Sequence, residues 1–333
     1  MPKYWLISNR SLVKGKPCGS DKGDVSYWTS EKGPLDKPDN WTKASWTAFK
    51  ASLIEAADAF PDAHPSDSEN QSHVTLFVHG YNNGWDDAAR RYEGLCRDLF
   101  SGPSGLGICV SYDWPSLGSA AGYLADRENA RACATDLADL LSALYDWLLK
   151  KQADAAADIS AACKAKVSCI SHSMGNFVLQ KAMAAAWSRK NQPLLASLLN
   201  QLLMVAADVD NNLYEPGTDD AFDGAAIANL TYRATALYSG RDAVLGASAG
   251  LKHFGTRRLG RSGLAVRPPS KMDNVWDVDC SSFFPDTVTG MDIHSAYFGP
   301  YATIALMRDI LRGIDRTALD SLGRTVGDQW PPR

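Results

Sequence analysis

The chain lacks any apolar run long enough to cross a bilayer. Its longest leucine-rich stretch, residues 194–207, is broken by Ser197, Asn200 and Gln201 and falls short of the roughly 20 residues a spanning helix needs. The start, MPKYWLISNR, offers only four consecutive apolar residues, Tyr4 to Ile7, before Ser8, so no secretory leader is expected. Neither sign of charge dominates: 34 basic against 38 acidic side chains leave a formal charge of -4, which excludes the electrostatic footprint of a general nucleic-acid binder. The seven cysteines (Cys18, Cys96, Cys109, Cys133, Cys163, Cys169, Cys280) are scattered without CxxC pairs. No disulfide framework is expected, and the pattern suits a reducing, cytoplasmic setting. No repeat and no low-complexity linker divides the chain.

Apolar material is ample, at 45% of 333 residues, and it changes period in a regular way. Residues 4–9 and 25–29 read as strands, and Trp46, Phe49, Leu53, Ala57 and Phe60 mark a helix behind Ser45 as N-cap. From residue 74 the pattern alternates: strand 74–78, helix 85–100, strand 107–112, helix 126–150, strand 166–170, helix 175–190, then strands 202–206 and 231–238. Strands alternating with helices imply βαβ crossovers, hence an α/β fold with a mostly parallel central sheet and helices on both faces. One domain is expected: N-terminal strands and a helix in 1–72, a catalytic core in 73–314 and a tail in 315–333. Long insertions are expected at carboxyl ends of strands, at 114–125, 208–228 and 246–292, the last two as a possible cap or lid.

In VSCISHSMGNFVLQ (Val167 to Gln180) the switch from strand to helix falls on Ser173. The pentapeptide Ser171-His172-Ser173-Met174-Gly175 is close to the G-x-S-x-G nucleophile elbow, where small residues flank a sharp turn. Ser171 stands in place of the first glycine. A serine hydroxyl needs a base within hydrogen-bond reach and the base needs an orienting acid. Asp242, directly beyond strand 231–238, and His294, 52 residues later, supply both in the order Ser, Asp, His.

Together with His79 to Asn83 (HGYNN) and Asp113 to Ser116 (DWPS), the His172 to Asn176 stretch (HSMGN) gives the chain its resemblance to α/β-hydrolases of the esterase/lipase type. The branch it resembles is a poorly characterised one, and the resemblance spans roughly residues 74–312. It implies a serine hydrolase with Ser173, His294 and Asp242 as triad and the backbone N–H groups of Tyr81 and Met174 as oxyanion hole. No metal or organic cofactor is implied. The substrate would be a small-molecule or lipid-like carboxylic ester. Thioesters, amides and acyl transfer use the same machinery, and a non-catalytic binding protein on the same fold is the reading from another class.

Other residues compete for these roles. His253 is a second base candidate, and Asp208 and Asp210 are alternative acids after an earlier strand. His172 suits a structural hydrogen bond, and His79 suits a brace for the oxyanion loop. DVDNN lacks the glycine of a calcium loop, and GPSGLG precedes a strand where a dinucleotide loop would follow one. Between Lys252 and Lys271 lie six basic residues and no acid (Lys252, Arg257, Arg258, Arg261, Arg267, Lys271). Such a run is either a solvated loop or a guide for anionic substrates. Tyr81, Trp85 and Trp114 are candidates to line an acyl site.

Overall fold

A computed structural model describes residues 3–62, 69–117, 122–158, 162–189, 197–253, 255–269 and 272–321. The chain divides into two compact units, Met1–Cys169 and Ile170–Arg333. The first holds β1 (Tyr4–Arg10), β2 (Lys22–Ser30), β3 (Thr42–Ala44), α1 (Trp46–Asp58), β4 (His73–Val78), α2 (Trp85–Leu95), β5 (Gly107–Asp113) and α3 (Tyr123–Ala157). Its strand order is β3-β2-β1-β5-β4. β1·β5 and β4·β5 are parallel, whereas β1·β2 and β2·β3 are antiparallel. The sequence pattern follows from this: β5 is buried almost throughout, as a strand covered on both faces must be, whereas the antiparallel β2 alternates. Helix α1 starts where expected, with Ser45 Oγ accepting the Ala48 N–H at 3.2 Å.

β6 (Lys166–His172) runs through the division between the units. The second unit continues with α4 (Gly175–Arg189), β7 (Leu199–Val205), α5 (Ala221–Leu230), β8 (Thr231–Tyr238), α6 (Ala243–Ala247), α7 (Leu259–Ser262), β9 (Val275–Asp279), α8 (Gly290–Ala296), α9 (Ala302–Leu311) and α10 (Arg316–Ser321). The strand order here is β6-β7-β8-β9, with β7·β8 and β8·β9 parallel. Mostly parallel strands joined by helices, with long connections after β7 and β8, make up an α/β-hydrolase fold.

Two segments expected as insertions contain regular elements. Residues 221–230 form α5, packed on α4, and residues 275–279 form β9, in register with β8 from Ala234↔Val275 to Tyr238↔Asp279. β9 escapes the sequence pattern because Asp277 and Asp279 interrupt its apolar residues, although Asp277 is itself buried. Residues 118–121 of the 114–125 segment and 322–333 of the tail lie outside the described residues. Among the described residues no helix is long and apolar enough to cross a membrane.

Candidate active site

Ser173 follows β6 directly and precedes α4, and its φ is +52°, in the left-handed region. A side chain held there costs on the order of 1–3 kcal/mol, so the surroundings must impose it. They do so through the backbone. The Ser173 N–H donates to the Val205 carbonyl at 3.0 Å, and its own carbonyl accepts the N–H groups of Asn176 and Asp208, each at 3.1 Å. Asn176 adds a side-chain clamp: Nδ2 donates to the carbonyls of Ser171 and Ser173, both at 3.1 Å, while Oδ1 accepts the Ser171 hydroxyl at 2.5 Å. The serine standing in place of the elbow's first glycine is therefore a buried partner of Asn176.

The structure brings Ser173, His294 and Asp242 into one line. His294 Nε2 lies 2.8 Å from Ser173 Oγ, and Nδ1 lies 2.8 Å from Asp242 Oδ2. A carboxylate only accepts, so Nδ1 carries the ring proton and the bare Nε2 accepts the serine hydroxyl. Asp242 is fully buried and doubles as N-cap of α6, its Oδ1 accepting the Leu245 N–H at 2.9 Å. That bond fixes the carboxylate plane, leaving Oδ2 for the imidazole. His253 is not on this line; the ring that meets Ser173 belongs to His294.

The alternative acids are engaged elsewhere. Arg258, fully buried, donates from Nε to Asp208 Oδ1 at 2.9 Å, from Nη2 to the Asp208 carbonyl and from Nη1 to Asp210, and Ser248 Oγ donates to the same Asp208 oxygen at 2.9 Å. This removes Arg258 from any steering of anionic substrates by the basic run. Besides Arg258, Arg261 donates to the backbone carbonyl of Asp242, and Arg267 pairs with Asp277 at 2.9 Å and stacks over Tyr238 at 5.1 Å. Arg257 is exposed, while Lys271 and the Lys252 side chain lie outside the described residues. The run itself does not reveal these pairings because the partner acids of Arg258 and Arg267, Asp208, Asp210 and Asp277, lie outside it.

The first unit holds the HGYNN and DWPS motifs together through a residue the sequence did not single out. Arg10, almost fully buried at the end of β1, places Nε 2.9 Å from both carboxylate oxygens of Asp113 and donates from Nη2 to the Asn83 carbonyl at 3.0 Å. Asp113 Oδ1 also faces His79 Nε2 at 2.9 Å, and Trp114 stacks on the His79 ring at 5.3 Å with planes 5° apart. Burial pushes the Asp113 carboxyl up, but the Arg10 charge and the His79 contact outweigh it and hold the group below the ordinary carboxylate range. Asn83 Nδ2 then closes the loop on the carbonyls of Gly80 and Tyr81 at 2.9 and 3.0 Å. His79 braces this loop as expected. Trp114 and Trp85 are buried and donate to the carbonyls of His79 and Asp36, so their roles are in packing; Tyr81 packs edge-on against Tyr123 at 5.3 Å. Among the described residues no group of three or more His, Cys, Asp or Glu is placed to hold a metal ion.

A family model described as an α/β hydrolase of unknown function, DUF900, matches residues 63–279. No curated protein matches the chain. Among solved structures the chain is similar to an esterase of Pyrobaculum calidifontis, at 12% identity and a TM-score of 0.37 over 73% of this chain and 77% of that one. It is similar to carboxyl esterase 2 of Tuber melanosporum at 13% identity and a TM-score of 0.37, over 73% and 78%. It is also similar to lipase B of Aspergillus fumigatus at 14% identity and a TM-score of 0.40, over 90% of this chain and 65% of that one.

Proposed function

Because the chain belongs to the DUF900 family of α/β hydrolases, we propose that it is a serine hydrolase that cleaves carboxylic esters through an acyl-enzyme. One observation carries this reading: the unbroken hydrogen-bonded line from Asp242 through His294 to a serine at positive φ. In the first half-reaction Ser173 Oγ attacks the ester carbonyl carbon as its proton passes to His294 Nε2. The Asp242 carboxylate stabilises the resulting imidazolium. The Met174 N–H, just before α4, is assigned to the developing oxyanion; donors at a helix start lack intrahelical acceptors and lie at the positive end of the dipole. Tyr81 is assigned the second N–H from its motif alone.

The alcohol leaves with the proton held by His294. Water then attacks the acyl carbon and gives its proton to His294, which returns it to Ser173 Oγ as the acid departs. The ester class, small-molecule or lipid-like, rests on the motif resemblance. Turnover of p-nitrophenyl esters tests the assignment. Ser173→Ala should abolish it, whereas Ser171→Ala should keep it and lose about 1 kcal/mol of stability with the bond to Asn176. An active Ser173→Ala and a folded but inactive Ser171→Ala would place the nucleophile elsewhere.

A further inference from the structure

His172 lies between β6's interior and the nucleophile, off the proton path from Ser173 to Asp242. It is buried, and its Nε2 stands 2.8 Å from the backbone carbonyl oxygen of His294. A carbonyl only accepts, so His172 Nε2 carries a proton and donates it. The carbonyl is one of the last four of α8, groups that a helix leaves without an intrahelical acceptor role. The His172 ring also tilts against the His294 ring, with centroids 5.0 Å apart, and meets Phe298 edge-on at 5.2 Å.

These contacts close a circuit. Ser173 is covalently joined to His172, His172 is hydrogen-bonded to the His294 backbone, and the His294 imidazole returns to Ser173 Oγ; the two noncovalent links are each 2.8 Å. The bond from Asp242 fixes the imidazole at Nδ1, and the bond from His172 acts on the backbone of the same residue. α8 packs against α6 through Gly290 and buries Ile293 and His294, and the His172 ring adds a hydrogen bond to its backbone at the base itself. We infer that His172 is a positioning residue: its bond to the His294 carbonyl sets the backbone of the base at the distance where Nε2 meets the serine hydroxyl. This rests on the reading of Ser173 as nucleophile and His294 as base.

The test compares two substitutions. His172→Phe keeps a ring against His294 and Phe298 but removes the donor, whereas His172→Gln gives up the ring and keeps an N–H near the position of Nε2. Misplacing a catalytic group by about 1 Å costs roughly a hundredfold, so His172→Phe should lower kcat by about ten- to a hundredfold with KM little changed, and His172→Gln should recover most of it. The His294 Nδ1 proton resonance, read by NMR, should shift or broaden in His172→Phe and return in His172→Gln. Should the Phe variant fail to fold, His172→Ala against His172→Gln gives the same comparison. Parental kcat and an unaltered resonance in the donor-less variant, or a Gln variant as slow as it, would overturn the inference. A parent enzyme that neither turns over esters nor reacts with a fluorophosphonate would instead defeat the nucleophile reading, and the resonance alone would then decide the role of His172.

Discussion

At the scale of single residues, Asp208 and Asp242 each follow a strand, and their partners distinguish them. Asp242 meets the imidazole of His294 and Asp208 meets the guanidinium of the buried Arg258. Asp242→Asn should therefore lower kcat by about four orders of magnitude, as loss of the correct tautomer does in a serine protease, with folding stability little affected. Asp208→Asn should do the reverse. It leaves the buried guanidinium with one of its two carboxylates, Asp210, a change costing about 1–3 kcal/mol, while turnover per folded molecule stays near the parent's. Urea unfolding alongside ester kinetics separates the two, and the opposite ranking would move the acid to the end of β7. Asp242 and His294 were legible in the sequence because nucleophile chemistry demands a base and an acid and the strand pattern limits where they sit. Arg10 was not legible: its carboxylate partner is 103 residues away, and nothing local marks an arginine at a strand end as buried.

The element whose role changes most is the segment from Arg257 to Arg267. Read as charge, it was a run of cations; folded, it is a brace behind the elbow, with α7 seated on the end of β7. Gly260 shows how closely. A Cβ there would lie 2.1 Å from the Ala206 carbonyl carbon, and the Gly260 N–H already donates to the Ala207 carbonyl at 2.9 Å. Ala206, itself at a φ of +45°, cannot yield without disturbing the Val205 carbonyl that receives the Ser173 N–H. Gly260→Ala should thus cost about 1–3 kcal/mol from overpacking and lower kcat as well. Arg257→Gln, in the same segment but exposed, should leave kcat/KM for anionic and neutral esters alike at low salt. A selective loss for the anionic ester would support the steering reading. β9 was hidden for a related reason: its buried Asp277 looks polar in sequence and is compatible with the interior only through Arg267 and the Leu264 N–H, 2.8 Å away.

For the whole molecule, two buried carboxyls give stability opposite pH dependences. Asp113 is held below its ordinary value, so the unfolded chain binds more protons in acid; its contribution is present above the ordinary carboxylate pKa and is lost as pH falls through the lower folded value. Burial pushes Asp277 up to about 6 against the pull of Arg267, so the native state keeps that proton longer; its contribution is present below the ordinary value and is lost as pH rises toward about 6. Asp277→Asn should flatten the decline in stability between about pH 4 and 6, measured by urea unfolding across that range, whereas a parental slope would show that Asp277 does not titrate there. The alternation of strand and helix from residue 74 to 189 was legible because parallel strands covered on both faces read as short apolar runs between helical periods. The central claim, that Ser173 is an activated nucleophile, is tested most directly by fluorophosphonate labelling followed by peptide mass mapping. One adduct on the 167–180 stretch, located on Ser173 and absent from Ser173→Ala and His294→Ala, is the predicted result. An adduct on Ser171, or a folded protein that takes up no label, would contradict it.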